Sequence, residues 1–81
     1  MKLQDWITVG QHLRAPDDVR RNKERGLFLP TAYVDGGYYF KARDAEVVEV
    51  HDGFAVLAFK DVPGHTYDYS PAELEYFSRC Y

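Results

Sequence analysis

Three histidines, one cysteine and a spread of carboxylates are the side chains that could hold a metal or move a proton. His12, His51 and His65 stand far apart, and no His-x-x-x-His or Glu-x-x-His pair sets two ligands on one helical face, so no metal site is expected. Cys80 is alone, which rules out an internal disulfide and a cysteine zinc cage and fits a reducing compartment. Ser70 lies in Ser70-Pro71-Ala72-Glu73, a helix-capping pattern that accounts for it without a nucleophilic role. Gly36-Gly37 falls between strand-like segments instead of opening a helix, so its backbone donors do not converge on a phosphate. No local arrangement raises a carboxylate's pKa for acid/base work. The expectation is no cofactor and no catalysis.

Binding chemistry is better represented. Tyr38-Tyr39 and Tyr67-Asp68-Tyr69 concentrate an aromatic side chain that offers large contact area at low entropic cost, as protein-binding surfaces require. The plainer reading places one ring of each pair in the core. Arg20-Arg21-Asn22-Lys23-Glu24-Arg25 could contact phosphates, with Trp6 or a tyrosine stacking on bases. The competing reading is a solvated helix face, favoured by a sequence pI near 5.5. Residues 1–30 hold six bases against four acids, and residues 31–81 four bases against nine acids, so partners of opposite sign would be steered to different faces.

The elements that must position these residues are those of one small domain. A chain of 81 residues can bury roughly 60% of its unfolded surface around a single core, and thirteen aromatic residues supply the material. The opening Met1-Lys2-Leu3-Gln4-Asp5 is no secretory signal, and the apolar run Phe54–Phe59 is too short to span a bilayer, so a cytoplasmic protein is expected. Leu3, Trp6, Ile7 and Leu13, with Gly10 on the same stripe, predict an amphipathic helix over 3–13. A second helix opens at Ala15-Pro16-Asp17-Asp18 and stops at Gly26, with Val19 as its only aliphatic anchor.

From Leu27 the period becomes two. Leu27–Val34 is a strand interrupted by Pro30, Asp35-Gly36-Gly37 is a hairpin signal, and the next strand runs from Tyr38 to Val50. A two-residue loop at Asp52-Gly53 pairs His51 with Phe54, Val50 with Ala55, Val48 with Leu57 and Glu46 with Phe59. Val48, Val50, Ala55, Leu57 and Phe59 then face the core. His51, Glu49, Ala45, Val56, Lys60, Val47 and Phe54 share the other, mixed side, which a helix or a partner should cover. Pro63-Gly64 makes a turn before a strand at His65–Tyr69, and a final helix over 70–79 points Leu74, Phe77 and Tyr81 inward. The fold class is α+β: an antiparallel β-meander or partly open barrel of 3–5 strands over residues 27–69, between a basic helical segment, 1–26, and a short C-terminal helix.

Tyr39-Phe40-Lys41-Ala42-Arg43, Ala45-Glu46-Val47-Val48-Glu49-Val50 and Gly53-Phe54-Ala55-Val56, with Asp61 before Pro63-Gly64 and Leu74 closing, resemble a Tudor-type domain, one of the Src-homology-3-like small barrels. The resemblance spans about residues 33–77. It implies an aromatic cage for methylated lysine or arginine, with Tyr38, Tyr39, Tyr67 and Tyr69 as its walls and Asp68 as a counter-charge.

The leading expectation is a non-enzymatic protein-binding module whose tyrosine-rich acidic β-surface comprises Tyr38, Tyr39, Tyr67, Asp68 and Tyr69, helped by Arg20 and Arg21. A small phage-type inhibitor of a host defence system, anti-CRISPR-like and blocking a nucleic-acid groove or a subunit interface, is a second reading. A weak nucleic-acid binder acting through residues 20–25 is a third. The expected partner is a protein before a nucleic acid and not a membrane, and a homodimer is compatible with the size.

Overall fold

Gly10 decides how the chain begins. The computed structural model describes residues 2–34 and 37–80, and the side chains of residues 19, 32–34, 38–40 and 80 lie outside that description. In place of the helix expected over 3–13 there is a single 3-10 turn, Leu3–Asp5, after which the Ile7 N–H donates to the Leu3 carbonyl at 3.0 Å. Gly10 has a φ of 91°, a left-handed conformation that costs glycine little. Its N–H donates to the Val47 carbonyl at 2.8 Å and the Val47 N–H donates to the Gln11 carbonyl at 2.9 Å, so the chain leaves the turn already joined to a strand. Strand β1, His12–Arg14, follows. Leu3, Ile7 and Leu13 are buried as their spacing demands, but a turn and a strand bury them instead of one helix.

Helix α1 spans Val19–Arg25. Asp18 is its N-cap, accepting from the Arg21 N–H at 3.0 Å, and Gly26 closes it in the left-handed conformation that the C-terminal position favours. Asn22 helps to anchor it to the body, donating from Nδ2 to the Pro16 carbonyl at 2.9 Å. The strand expected from Leu27 enters a ladder only at Thr31. Strands β2, Thr31–Val34, and β3, Tyr38–Lys41, form a separate two-stranded ribbon in which Tyr33 faces Tyr39 and Val34 faces Tyr38. Asp35 and Gly36 of the hairpin signal lie outside the described residues. The long strand expected to Val50 breaks after Lys41, where Ala42 is fully buried and donates to the Pro30 carbonyl at 2.9 Å.

The main sheet has five antiparallel strands in the order β6-β5-β4-β1-β7, formed by β4 (Asp44–Val50), β5 (Ala55–Phe59), β6 (Thr66–Tyr69) and β7 (Ser78–Cys80) around β1. It is open, with β6 and β7 as its edges. The one-turn helix α2, Pro71–Leu74, carries the expected capping box, in which the Glu73 N–H donates to Ser70 Oγ and the Ser70 N–H to Glu73 Oε1. It does not continue to residue 79, because Ser78–Cys80 pairs with β1. Leu74 and Phe77 are still buried, and Tyr81 lies outside the described residues.

The hairpin at Asp52-Gly53 closes as expected, with the His51 N–H donating to the Phe54 carbonyl at 2.8 Å and Val50 opposite Ala55. Beyond Glu49 the expected register is wrong by one residue. A β-bulge at Val48 places Val47 opposite Leu57 and Ala45 opposite Phe59. Val47 and Val50 have opposite parity, so an unbroken strand would turn one of them outward; the extra residue lets both pack inward. Ala45 and Val47 are therefore core residues, and Val48 is only half-buried. The core lies on one sheet face, where Leu13, Val47, Leu57, Phe59 and Tyr69 meet Leu3, Ile7, Leu27, Leu29, Leu74 and Phe77. Among the described residues no helix is long and apolar enough to cross a membrane.

Candidate functional site

Strand β6 separates residues that the sequence groups together. Tyr69 is only 1% exposed, its ring set edge-on to Phe59 and Phe77 at 6.1 and 5.3 Å. Its hydroxyl donates to the Phe28 carbonyl at 2.7 Å. Burial, then the charge of Glu73 and the neighbouring Tyr67, push its ionisation far above the ordinary tyrosine range. Tyr69 is thus a core tyrosine and leaves the expected binding surface. Tyr67, two residues earlier, shares its face and is half-buried, packing edge-on to Phe59 at 6.0 Å. Asp68 is exposed and faces the opposite side by strand alternation, so it does not stand beside the two rings as a counter-charge would.

The exposed aromatic side chain beside Tyr67 is Phe28, which sequence reasoning missed. Leu27 and Leu29 turn inward and leave Phe28 56% exposed, with its ring 5.7 Å from Tyr67. The signal was present as an apolar triplet, Leu27-Phe28-Leu29, in which period-two alternation must expose the middle side chain. Tyr38 and Tyr39 lie on β3, in the ribbon and not in the main sheet, and their side chains are outside the described set. Arg20 and Arg21 are exposed on α1, with Arg20 Nε 3.8 Å from Glu24 Oε1 one turn on. Arg25 lies over the Tyr76 ring, 4.4 Å from its centre. The basic segment is therefore partly neutralised or stacked by its own surroundings.

The outer face of the sheet carries a row of His12, Glu46, Ala58 and Thr66 across β1, β4, β5 and β6. Ala58 is the small member, and a groove of about 630 Å³ opens there, walled by His12, Asp44, Glu46 and Lys60. His12 Nε2 stands 3.6 Å from Glu46 Oε1, with both side chains at least half exposed. The walls carry both signs of charge. Among the described residues no group of three histidine, cysteine, aspartate or glutamate side chains could hold a metal ion.

No family model matches the chain, and no solved structure matches it. A stretch of 58 residues, 72% of the chain, is 34% identical to the guanylate kinase of Desulfotalea psychrophila. The chain spans 29% of that enzyme's length, so the likeness concerns a piece of the kinase and not the whole.

Proposed function

We propose that the chain is a non-enzymatic module that docks an extended segment of another protein against Phe28 and Tyr67 beside the edge of β6. The observation that carries this reading is Phe28, a large aromatic side chain more than half exposed and braced by Tyr67. Such a side chain resembles the aromatic anchors that dominate binding energy at protein interfaces. Strand β6 pairs with β5 on one side, so its other side offers backbone donors and acceptors for strand addition. An inhibitor of a host defence complex would use the same surface.

The test is cross-linking of the chain to its partner, followed by affinity measurement with Phe28→Ser and Phe54→Ser. Phe54 is 37% exposed at the β4–β5 turn and serves as a control. Phe28→Ser should weaken binding by about 30-fold, the worth of a hot-spot side chain, without lowering the melting temperature. Phe54→Ser should leave affinity unchanged. Full affinity in Phe28→Ser would sink the proposal.

The likeness to guanylate kinase supports a second reading, in which the chain binds guanylate. Titration with GMP, followed by amide resonances, decides it: saturable shifts favour guanylate binding, and an unchanged spectrum removes it.

A further inference from the structure

Strand β6 is the longer of the sheet's two open edges, four residues against the three of β7. An open edge strand is a template for pairing with another chain, and proteins protect such edges with lysine, proline or a bulge. Thr66–Tyr69 contains neither lysine nor proline, and it pairs with β5 without a register shift. Its one charge is Asp68. Beside it on the core face stands Phe28, 56% exposed and 5.7 Å from the Tyr67 ring.

A second copy of β6 can add antiparallel to this edge about a two-fold axis, and strand alternation restricts the register. Residues directly opposite each other share a face, so the axis passes through a residue and not between two. An axis through Asp68 sets two carboxylates against each other, which is unfavourable. An axis at either end of the strand pairs it with turn residues outside it. An axis through Tyr67 matches everything: Tyr67 meets Tyr67 on the core face, and on the outer face each Thr66 hydroxyl meets the Asp68 carboxylate of the other copy. The β7 edge offers no such solution, because pairing all of Ser78–Cys80 with its own copy sets Arg79 against Arg79.

We infer that the chain forms a two-fold symmetric dimer through β6, in the register that pairs Tyr67 with Tyr67 and Thr66 with Asp68. The inference rests on the docking reading and names the docked segment: strand β6 of a second copy. The two five-stranded sheets join edge to edge. Phe28 of each copy lies against the paired Tyr67 rings, so one contact covers the exposed aromatic side chains of both copies. The interface is isologous, the same patch used twice, which closes the assembly at two copies and leaves β6 no edge for further growth.

The experiment is sedimentation velocity of the whole chain from about 10 µM to 1 mM, the range in which a small interface dissociates. The sedimentation coefficient should rise with concentration from the monomer value towards the dimer value. Thr66→Asp, which puts a carboxylate opposite Asp68 twice, should weaken the dimer at least about tenfold, and Thr66→Lys should strengthen it about fivefold. Thr66 is exposed, so both variants should fold as the parent does. Phe28→Ser should weaken the dimer at least about tenfold. In a half-labelled sample, nuclear Overhauser contacts should join Tyr67 of one copy to Tyr67 and Phe28 of the other. A chain that stays monomeric at the highest concentration, a dimer indifferent to both Thr66 variants, or contacts through β7 overturns the inference and leaves the docking reading to its own test with a different protein. A dimer that responds to the Thr66 variants but not to Phe28→Ser supports the strand pairing and removes the docking reading instead.

Discussion

Tyr69 holds two parts of the chain together through one oxygen, and its ionisation makes that link sensitive to alkali. The folded state keeps the phenol neutral, chiefly through burial, whereas an unfolded tyrosine ionises near pH 10. Its contribution is therefore fully present below about pH 10 and is lost as pH rises above that value. Tyr69→Phe removes the bond to the Phe28 carbonyl and should cost about 1 kcal/mol in urea unfolding at neutral pH. The variant should also lose less stability than the parent between neutral pH and the alkaline limb; an equal loss would show that other groups control that limb. At this scale the sequence was read by residue type, and tyrosine is ambiguous by type because its ring suits a core and its hydroxyl a surface. Only the strand's parity relative to the core separates Tyr69 from Asp68, and that parity depends on pairing with a distant strand.

Elements defined by local chemistry were legible. Gly26 ends α1, Ser70 and Glu73 cap α2, and Asp52-Gly53 turns a hairpin, each through contacts within a few residues. Asp18→Ala should remove about 1 kcal/mol by leaving the Arg21 N–H without its acceptor, readable as a lower urea midpoint. Elements defined by distant contacts were not legible. The stripe Leu3, Ile7 and Leu13 fits a helix as well as a turn followed by a strand, and β4 decides between them by engaging Gly10 and Gln11. The bulge at Val48 was hidden because Val47 and Val48 are interchangeable in a pattern of apolar positions. Deleting Val48 leaves Val47 and Val50 two positions apart, so simple alternation keeps both inward opposite Leu57 and Ala55. The deletion should therefore cost far less than the ~2–5 kcal/mol of losing a large buried aliphatic contact, and should leave a single sharp unfolding transition. A loss of that size would mean that the bulge does more than set the parity of these two valines.

At the scale of the molecule, the α+β class, the antiparallel run β4-β5-β6 and the position of most apolar residues inside were readable, whereas the places of β1 and β7 in the open sheet and the separate ribbon were not. A barrel or meander joins neighbours in sequence, but here β1 lies between β4 and β7, pairing His12 with Glu46 on one side and with Cys80 on the other. Arg79 adds a further link, donating from Nη2 to the Trp6 carbonyl at 3.1 Å. The proposed docking surface was half legible for the same reason: Tyr67 is singled out by its type, but Phe28 joins it only when a segment 39 positions away in the chain comes to lie against β6. Leu13→Ala, in the middle of this three-residue strand, should cost about 2–5 kcal/mol, measured by denaturant unfolding.

Placing the first strand inside the sheet also sets an order of events. Loop closure over such separations is entropically slow, so folding should take milliseconds to seconds despite the small size of the domain. On the ribosome, the β4–β5 hairpin can form early, but β1 gains its second neighbour only after residues 78–80 have emerged. Until then β1 presents an unpaired edge on the side that β7 later covers, which leaves the nascent form open to pairing with another chain.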